Sequence, residues 1–287
     1  MNIILGKTAG FCFGVKRAID KAYEQTIESS SKSIYCLGEL VHNKTVMDKI
    51  KKSKIEVIDN VDNIQNKDAI LIIRAHGISP ATYEQIKSKD IEIIDCTCPF
   101  VKRIHDIVQT HSKNGDYVFI IGNKNHPEIV GTYGYCNSNC SVINGKDDIK
   151  SAIEELQKTN CKNLLIVAQT TFDVSLFEEI STIIKNVVGS CINVNVENTI
   201  CNATMERQKE TDEISKKVEY MIIIGGKNSS NTKKLYDIAS KNTNSILIET
   251  SNDLDLKILK QYDTIGIMAG ASTPQETIDD VLNVVSR

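Results

Sequence analysis

AILIIRAHGIS, at residues 69–79, is the stretch of this chain that most clearly indicates its fold. Its first five residues are apolar, and they are followed at once by Arg74, His76 and Gly77. A short, continuous apolar run with such an abrupt end is typical of a strand buried on both faces in a parallel sheet. Ligands of open parallel sheets bind beside the carboxyl ends of the strands, so the polar residues that follow are candidates for a binding site.

The same unit, a short strand followed by polar residues and a helical segment, recurs along the chain. Its five other copies are SIYCLGELVHNKT (33–45), YVFIIGNKNHPE (117–128), NLLIVAQTTFDVS (163–175), YMIIIGGKNSSNT (220–232) and TIGIMAGASTP (264–274). Helices are predicted at Val101–Ser112, Leu176–Val187, Thr232–Ser240 and Thr277–Val285, and shorter strands at Glu92–Ile94, Asn193–Val196 and Ser245–Ile248. This alternation predicts an α/β fold with mainly parallel sheets.

The six copies divide evenly, two to each third of the chain. We expect an N-terminal segment at 1–13 that carries the first of the candidate ligand cysteines, followed by three α/β units at 14–97, 98–197 and 198–287. Polar stretches at 28–33 and 136–140 are interpreted as surface loops.

Composition and charge exclude several classes of function. A net charge of −3 gives no general attraction for nucleic acid. No apolar run approaches the length that crosses a bilayer, and the N-terminus has only a four-residue apolar stretch, too short for a secretory signal. GKT at 6–8 lacks the upstream glycine of a P-loop, and no G-x-G-x-x-G follows a strand. We therefore expect a cytoplasmic protein whose partner is a small molecule, with neither nucleic acid nor membrane as a partner.

Three of the nine cysteines share a context that favours metal binding. Cys12, in GFCFGVKRA, and Cys98, in DCTCPFVKRIH, both begin the pattern C-x-x-V-K-R before a helical run, and Cys201, in NTICNATMERQ, is a looser third copy. A helix N-terminus and nearby cations stabilise the thiolate, which is the form that binds iron. We predict that these three cysteines hold one iron–sulfur cluster, which leaves one iron without a protein ligand and open to substrate.

The other cysteines have a simpler interpretation, because free cysteines are often buried as small hydrophobic residues. This applies to Cys36, Cys161 and Cys191. Cys96 is ambiguous, and Cys98 is preferred as the ligand because its context matches that of Cys12. The C-x3-C pair of Cys136 and Cys140 could hold zinc, but without a second pair nearby a solvated loop is favoured.

Polar residues at the strand ends favour a site for a doubly charged anion. Three histidines occupy equivalent positions in the repeats and could donate N–H groups to it: His42, His76 and His126. The run Ser229, Ser230 and Asn231 opens a helix after a strand, where backbone N–H groups and hydroxyls bind phosphate, and Ser272 repeats that pattern. Each serine alone could equally be a helix N-cap, so only the set as a whole suggests a diphosphate.

Glu128, in HPE, is the carboxylate best placed to deliver protons, and Thr170, in QTT, could relay them or hold a substrate hydroxyl. The alternative for Glu128 is a surface residue that caps a helix.

Nine ordered motifs together resemble the IspH/LytB family, the 4-hydroxy-3-methylbut-2-enyl diphosphate reductases. They are GFCFGVKRA, VHN, RAHG, TCP-x-V-x-R-x-H, HPE, QTT, C-x-AT-x-x-RQ, SSNT and AGASTP, and they extend over essentially the whole chain. The resemblance implies three pseudo-symmetric α/β units arranged as a trefoil around a central [4Fe–4S] cluster held by Cys12, Cys98 and Cys201. Two departures from the pattern are the additional thiol of Cys96 and the absence of V-K-R after Cys201.

The activity implied by this resemblance is the last step of the methylerythritol phosphate route to isoprenoids. A two-electron, two-proton loss of the hydroxyl would convert (E)-4-hydroxy-3-methylbut-2-enyl diphosphate, bound through its alcohol to the open iron, into isopentenyl and dimethylallyl diphosphates. Glu128 would supply protons, with Thr170 and Thr204 beside the hydroxymethyl end. The diphosphate would be held by His42, His76, His126, Ser229, Ser230, Asn231 and Ser272. Electrons would come from an external donor such as ferredoxin or flavodoxin, because the chain has no flavin or nicotinamide motif.

Two other interpretations remain open from the residues. One is a three-cysteine dehydratase of the quinolinate synthase type, which would need no external electrons. The other is a non-catalytic, metal-binding regulatory module, which predicts a closed metal site and leaves the anion-binding residues unexplained.

Overall fold

The structure of this protein is a computed structural model that describes residues 1–28 and 32–286, so part of the predicted loop at 28–33 lies outside the described residues. Its strands are β1 (Asn2–Leu5), β2 (Ser33–Leu37), β3 (Ile55–Ile58), β4 (Ala69–Ile73), β5 (Glu92–Asp95), β6 (Tyr117–Ile121), β7 (Cys140–Ile143), β8 (Asn163–Ala168), β9 (Asn193–Val196), β10 (Tyr220–Ile224), β11 (Asn244–Ile248) and β12 (Thr264–Ala269). Its helices are α1 (Phe13–Glu28), α2 (Lys44–Lys52), α3 (Pro80–Lys87), α4 (Pro99–Lys113), α5 (Pro127–Tyr133), α6 (Ile149–Gln157), α7 (Val174–Val188), α8 (Asn202–Ser215), α9 (Ser230–Ser240), α10 (Leu256–Leu259) and α11 (Gln275–Val285).

The described strands form three four-stranded sheets in which every pairing is parallel. Their orders are β1-β12-β10-β11 in the first sheet, β3-β2-β4-β5 in the second and β7-β6-β8-β9 in the third. The six strands predicted from the repeated unit are the two central strands of each sheet. The prediction of three parallel α/β sheets is therefore confirmed.

Burial on both faces explains the apolar runs of the central strands. In the first sheet, Ile222 of β10 packs in one apolar cluster with Ile267, whereas its neighbours Met221 and Ile223 pack in a second cluster with Met268. Successive side chains of a strand point to opposite faces, so both faces of this sheet are covered. Strands β4 and β6 are likewise buried at every position.

The chain divides into two compact units. The first contains residues 1–23, 39–54 and the described chain from 202 onward, and it carries the first sheet. The second contains the described residues of 24–38 together with 55–201, and it carries the other two sheets. The domain boundaries expected near residues 13, 97 and 197 remain predictions.

Glycine follows at least one central strand of each sheet: Gly38 after β2, Gly122 after β6, and Gly225 and Gly270 after β10 and β12. A Cβ atom at Gly122 would lie 2.9 Å from the Cβ of Gln169, the residue after β8. A Cβ at Gly225 would lie 3.0 Å from the Thr273 hydroxyl. The glycines thus let the segments that follow two neighbouring strands approach closely, which brings their polar side chains to one edge of the sheet.

The interpretation of 136–140 as a solvated loop is wrong for its last residue. Cys140 begins β7 and is buried against Ile104 and Val108, and Cys136 packs partly against the same cluster. The edge strand β7 was missed because the polar sequence CNSNC resembles a turn. No helix among the described residues is long and apolar enough to cross a membrane.

Candidate functional site

The three predicted ligand cysteines lie in loops of the same construction. Each immediately precedes a helix, namely α1, α4 or α8. The backbone N–H of each donates to a carbonyl located two residues beyond a central strand: Cys12 to Ala271 (3.1 Å), Cys98 to Ala75 (3.0 Å) and Cys201 to Thr170 (3.1 Å). The predicted helix-start context is confirmed, and in each loop the positive end of a helix lies beside the thiol.

The three predicted ligand cysteines differ in solvent exposure from most of the other cysteines. Cys12, Cys98 and Cys201 are partly exposed and form no disulfide. Cys36 is buried, and burial raises the pKa of its thiol to about 12, as expected for an inert cysteine. Cys96 is fully buried at the end of β5, which supports the choice of Cys98 over its neighbour. The expectation that Cys191 is buried is wrong, because Cys191 is exposed in a short turn after α7.

A carboxylate that the sequence did not single out holds the Cys98 loop. Asp95 accepts a hydrogen bond from the Thr97 N–H (2.8 Å) and pairs with Lys102 Nζ (2.5 Å). Burial opposes ionisation of Asp95, but the hydrogen bonds from Lys102 and Thr97 outweigh it and keep the pKa of the carboxyl below its ordinary value. Lys102, interpreted from the V-K-R pattern as a cation for the thiolate, is thus paired with a carboxylate.

Replacement Asp95→Ala is expected to lower the free energy of unfolding by about 1–2 kcal/mol, since the hydrogen bonding with Thr97 and the ion pair with Lys102 are lost. Because the pKa of Asp95 is depressed in the folded state, this contribution is present above the ordinary pKa of an aspartate and is lost as the pH falls below it. Urea unfolding at pH 7 and pH 3 measures both effects. Glu92→Gln on the same strand, which removes an exposed pair with Lys32, is the control. Equal effects of the two variants would contradict a special role for Asp95.

The Cys12 loop is anchored by a second such carboxylate. Glu210 of α8 accepts hydrogen bonds from the backbone N–H groups of Lys7 (2.7 Å) and Thr8 (2.9 Å) and from the Thr8 hydroxyl (2.5 Å). Arg207 Nη2 donates to the carbonyl of Gly10 (2.7 Å), which lies two residues after Thr8. Neither role can be inferred from the sequence, because the partners are about two hundred residues apart along the chain.

The buried carboxyl of Glu128 contacts Thr170, the residue whose carbonyl accepts the Cys201 N–H. Glu128 is 2% exposed, so the alternative of a surface residue is wrong. Its Oε1 accepts from the Thr170 N–H (2.6 Å), and its Oε2 lies 2.6 Å from the Thr170 hydroxyl. Burial raises the pKa of Glu128 to about 7, although the hydrogen bonds from Thr170 act to lower it. Thr170 in turn accepts the Cys201 N–H through its carbonyl, so this residue connects a carboxyl poised near neutrality to a candidate metal ligand.

Two of the three predicted histidines are neighbours in the second unit. The rings of His76 and His126 meet edge to face with their centroids 5.3 Å apart. The His126 Nδ1 accepts a hydrogen bond from the Glu128 N–H (3.2 Å), which fixes the neutral ring with its proton on Nε2. Two adjacent imidazoles of this kind can both donate to one anion.

His105 of α4 was predicted only as a helical residue, and the structure shows that it supports the His76 loop. Gly77 has φ +73°, and a Cβ atom there would lie 2.7 Å from the His105 Cε1. The His105 ring also stacks on Tyr135 with a centroid distance of 4.2 Å. Burial lowers the pKa of His105 to about 4, so it packs as a neutral ring.

The first unit holds the other predicted anion-binding residues. Ser229 caps α9 by accepting the Thr232 N–H (3.3 Å), which fits its simpler interpretation. Ser272 differs from the prediction, because it lies three residues before α11 and its hydroxyl donates to the His42 carbonyl (3.4 Å). Asn231 is 3% exposed, and neither polar atom of its side chain has a hydrogen-bond partner among the described residues. A buried amide without partners is costly, so Asn231 is suited to binding a ligand.

These features define an α/β protein whose parallel strand ends carry helix-start thiols, a buried carboxyl and anion-binding side chains. More particularly, the chain belongs to the LytB family, because the family model described as LytB protein matches residues 3–286.

Individual proteins of known name agree with that assignment. The chain is 38% identical to the 4-hydroxy-3-methylbut-2-enyl diphosphate reductase of Alkaliphilus oremlandii, over 100% of this chain and 99% of that protein. It is 41% identical to the reductase of the same name from a Thermoanaerobacter species, over 99% and 96%. The solved structure of the E-1-hydroxy-2-methyl-but-2-enyl-4-diphosphate reductase from Plasmodium falciparum matches with a TM-score of 0.90 and 32% identity, over 100% of this chain and 88% of that one. These matches favour the reductase over the dehydratase and the regulatory module.

Proposed function

We propose that this protein reduces (E)-4-hydroxy-3-methylbut-2-enyl diphosphate to isopentenyl and dimethylallyl diphosphates. The reaction consumes two electrons and two protons and releases the hydroxyl oxygen as water, and it is the last step of the methylerythritol phosphate route. Membership of the LytB family and the names of full-length relatives support this function.

We infer that Cys12, Cys98 and Cys201 hold a [4Fe–4S] cluster. The donor set fits, because these thiols are free, partly exposed and next to helix N-termini that favour the thiolate. The Cys12 sulfur already accepts a hydrogen bond from the Val15 N–H (3.5 Å), as a thiolate at this position would. When bound, such a cluster supplies one-electron chemistry and an iron that no protein thiolate occupies.

The observation that carries the proposal is the contact of Glu128 with Thr170. A carboxyl with a pKa of about 7 is a proton donor matched to neutral conditions. In the structure the Thr170 hydroxyl donates to Glu128 Oε2. When Glu128 is protonated this hydrogen bond would reverse, and the Thr170 hydroxyl would pass its own proton to the leaving oxygen of the substrate. Thr204, which is buried near the start of α8, would contact the hydroxymethyl end.

The diphosphate would be bound by the polar side chains that follow the strands. His76 and His126 supply the N–H donors of the second unit. The first unit supplies His42, Ser229, Ser230, Asn231 and Ser272, of which Asn231 has the clearest need for a ligand. Phosphate oxygens would satisfy the buried Asn231 amide N–H groups, and the N-terminus of α9 would add its dipole.

The test is the anaerobic reaction of the purified protein with (E)-4-hydroxy-3-methylbut-2-enyl diphosphate and reduced methyl viologen as a one-electron donor. We expect oxidation of two methyl viologen radicals for each substrate molecule consumed, with formation of both five-carbon diphosphates. A preparation with four iron atoms per chain that consumes no substrate would reject the proposal.

A further inference from the structure

Exposed phenylalanines lie beside two of the cysteines assigned to the cluster. Phe13, which directly follows Cys12, is 68% exposed, and Phe100, two residues after Cys98, is 39% exposed. The phenylalanines remote from these cysteines are all buried: Phe119, Phe172 and Phe177. Single exposed apolar residues are common on protein surfaces. Here, however, the exposed phenylalanines of the described chain are confined to candidate ligand loops.

Each of these phenylalanines is accompanied by an exposed cation one helical turn later. Lys16 follows Phe13 by three residues in α1, and Arg103 follows Phe100 by three in α4. Residues three apart lie on the same face of a helix, so each helix presents an aromatic–basic pair close to its cysteine. In the described chain neither Lys16 nor Arg103 forms an ion pair.

The third cysteine loop lacks this combination. The helix after Cys201 begins Asn-Ala-Thr-Met-Glu, without an aromatic residue, and its first charged residue, Glu206, is acidic. The feature is therefore specific to the helices that follow Cys12 and Cys98, and the general construction of a cysteine loop does not require it.

We propose that each aromatic–basic pair, Phe13–Lys16 in the first unit and Phe100–Arg103 in the second, is by itself a docking element for an acidic one-electron carrier protein. This inference rests on the proposed function, in which substrate, two electrons and two protons give product and water. The carrier would deliver one electron at each encounter and leave in its oxidised form, so two encounters complete one turnover.

The composition of the pairs suits such a partner. Electron-transfer complexes are short-lived and bury little surface, so a few residues dominate their affinity. An aromatic side chain that is already exposed provides apolar contact without a rearrangement of the core. Unpaired cations attract an acidic protein and orient it during the encounter.

The experiment compares a protein donor with a small donor in the same enzyme. Phe13→Ser and Phe100→Ser are assayed with reduced flavodoxin, with a reduced acidic ferredoxin and with reduced methyl viologen. We expect the KM for at least one carrier protein to rise about 10-fold in each variant. The rate with methyl viologen should remain unchanged, because a small donor needs no docking surface.

The cations are tested through ionic strength. Lys16→Gln and Arg103→Gln should raise the carrier KM at low salt and have a smaller effect at high salt, where surface charges are screened. Ile27→Ser is the matched control, since Ile27 is 80% exposed near the other end of α1. This control should change neither the carrier KM nor the methyl viologen rate.

Two results would overturn the docking proposal. An unchanged KM for both carriers in both phenylalanine variants would show that the pairs are not contacted. An equal loss of activity with carriers and with methyl viologen would assign the phenylalanines to support of the metal site. Failure of the wild-type enzyme with methyl viologen would instead reject the proposed function.

Discussion

Replacement Glu128→Gln is expected to lower substrate turnover with methyl viologen by about 100- to 1,000-fold while the iron content stays at the wild-type level. The side chain is buried, and both of its oxygens contact Thr170. A glutamine can still accept the Thr170 N–H through its amide oxygen, so the loop that carries Cys201 should keep its position. What the variant loses is the transferable proton.

The pH dependence provides a second readout of the same residue. Because the pKa of Glu128 is raised to about 7, the wild-type enzyme should lose its proton donor, and with it turnover, as the pH rises through 7. The folded protein also holds this proton where the unfolded chain would release it. The stabilisation linked to Glu128 is therefore complete below the ordinary pKa of a glutamate and is lost as the pH rises through about 7. Unfolding in urea between pH 5 and pH 8 should show this decline in the wild type and a flatter profile in Glu128→Gln.

Glu155→Gln serves as the control, because Glu155 is an exposed residue that pairs with Lys158. It should change neither turnover nor the pH profile. If Glu128→Gln retained more than half of the wild-type turnover at pH 7, another group would have to be the proton donor.

Replacement Cys98→Ser is expected to remove the visible absorbance of the cluster, reduce the bound iron and lower turnover about 100-fold or more. A serine hydroxyl stays protonated at neutral pH and is a poor ligand for iron. Cys96→Ser should behave in the opposite way, since Cys96 is fully buried at the end of β5. It would place a hydroxyl in an apolar site and cost about 1–3 kcal/mol of stability, yet the iron content should be retained.

The two variants are distinguished by iron content per chain and by urea unfolding, both measured after anaerobic purification. If the cluster survived in Cys98→Ser and were lost in Cys96→Ser, Cys96 would be the ligand and Cys98 would not. Loss of iron in both would mean that the loop tolerates no change near β5, and Cys98→Ala with added thiol ligand would then be compared for recovery of iron.

The sequence predicts the six central strands correctly because each of them is apolar along its own length. A strand covered on both faces needs an apolar residue at every position, as in β4 and β6, and that requirement is visible without knowledge of its neighbours. The edge strand β7 has a mixed pattern, with two of its four residues only partly buried. Its pairing with β6 is decided by the neighbouring strand, so it was interpreted as part of a loop.

The cysteine contexts were also readable, because a thiol before a helix is defined by residues within one turn of it. What the pattern did not reveal is the environment of each thiol. Cys96 and Cys98 are two residues apart, yet Cys96 is in the core and Cys98 occupies the partly exposed position just before α4. Cys96 directly follows β5 and points into the core, whereas Cys98 directly precedes α4 and stays partly exposed.

The sequence by itself determined the parallel α/β class, the helix-start position of Cys12, Cys98 and Cys201, and the concentration of polar residues after the strands. These properties follow from short-range periodicity and from the geometry of helix ends. Only the tertiary structure decided that Glu128 is buried against Thr170, that Asp95 holds the Cys98 loop and that Glu210 holds the Cys12 loop. The partners of Glu128 and of Glu210 are 42 and about two hundred residues away in the chain. Even Asp95 depends on the direction that α4 takes to place Lys102, so the protonation states of these carboxyls are properties of the folded chain.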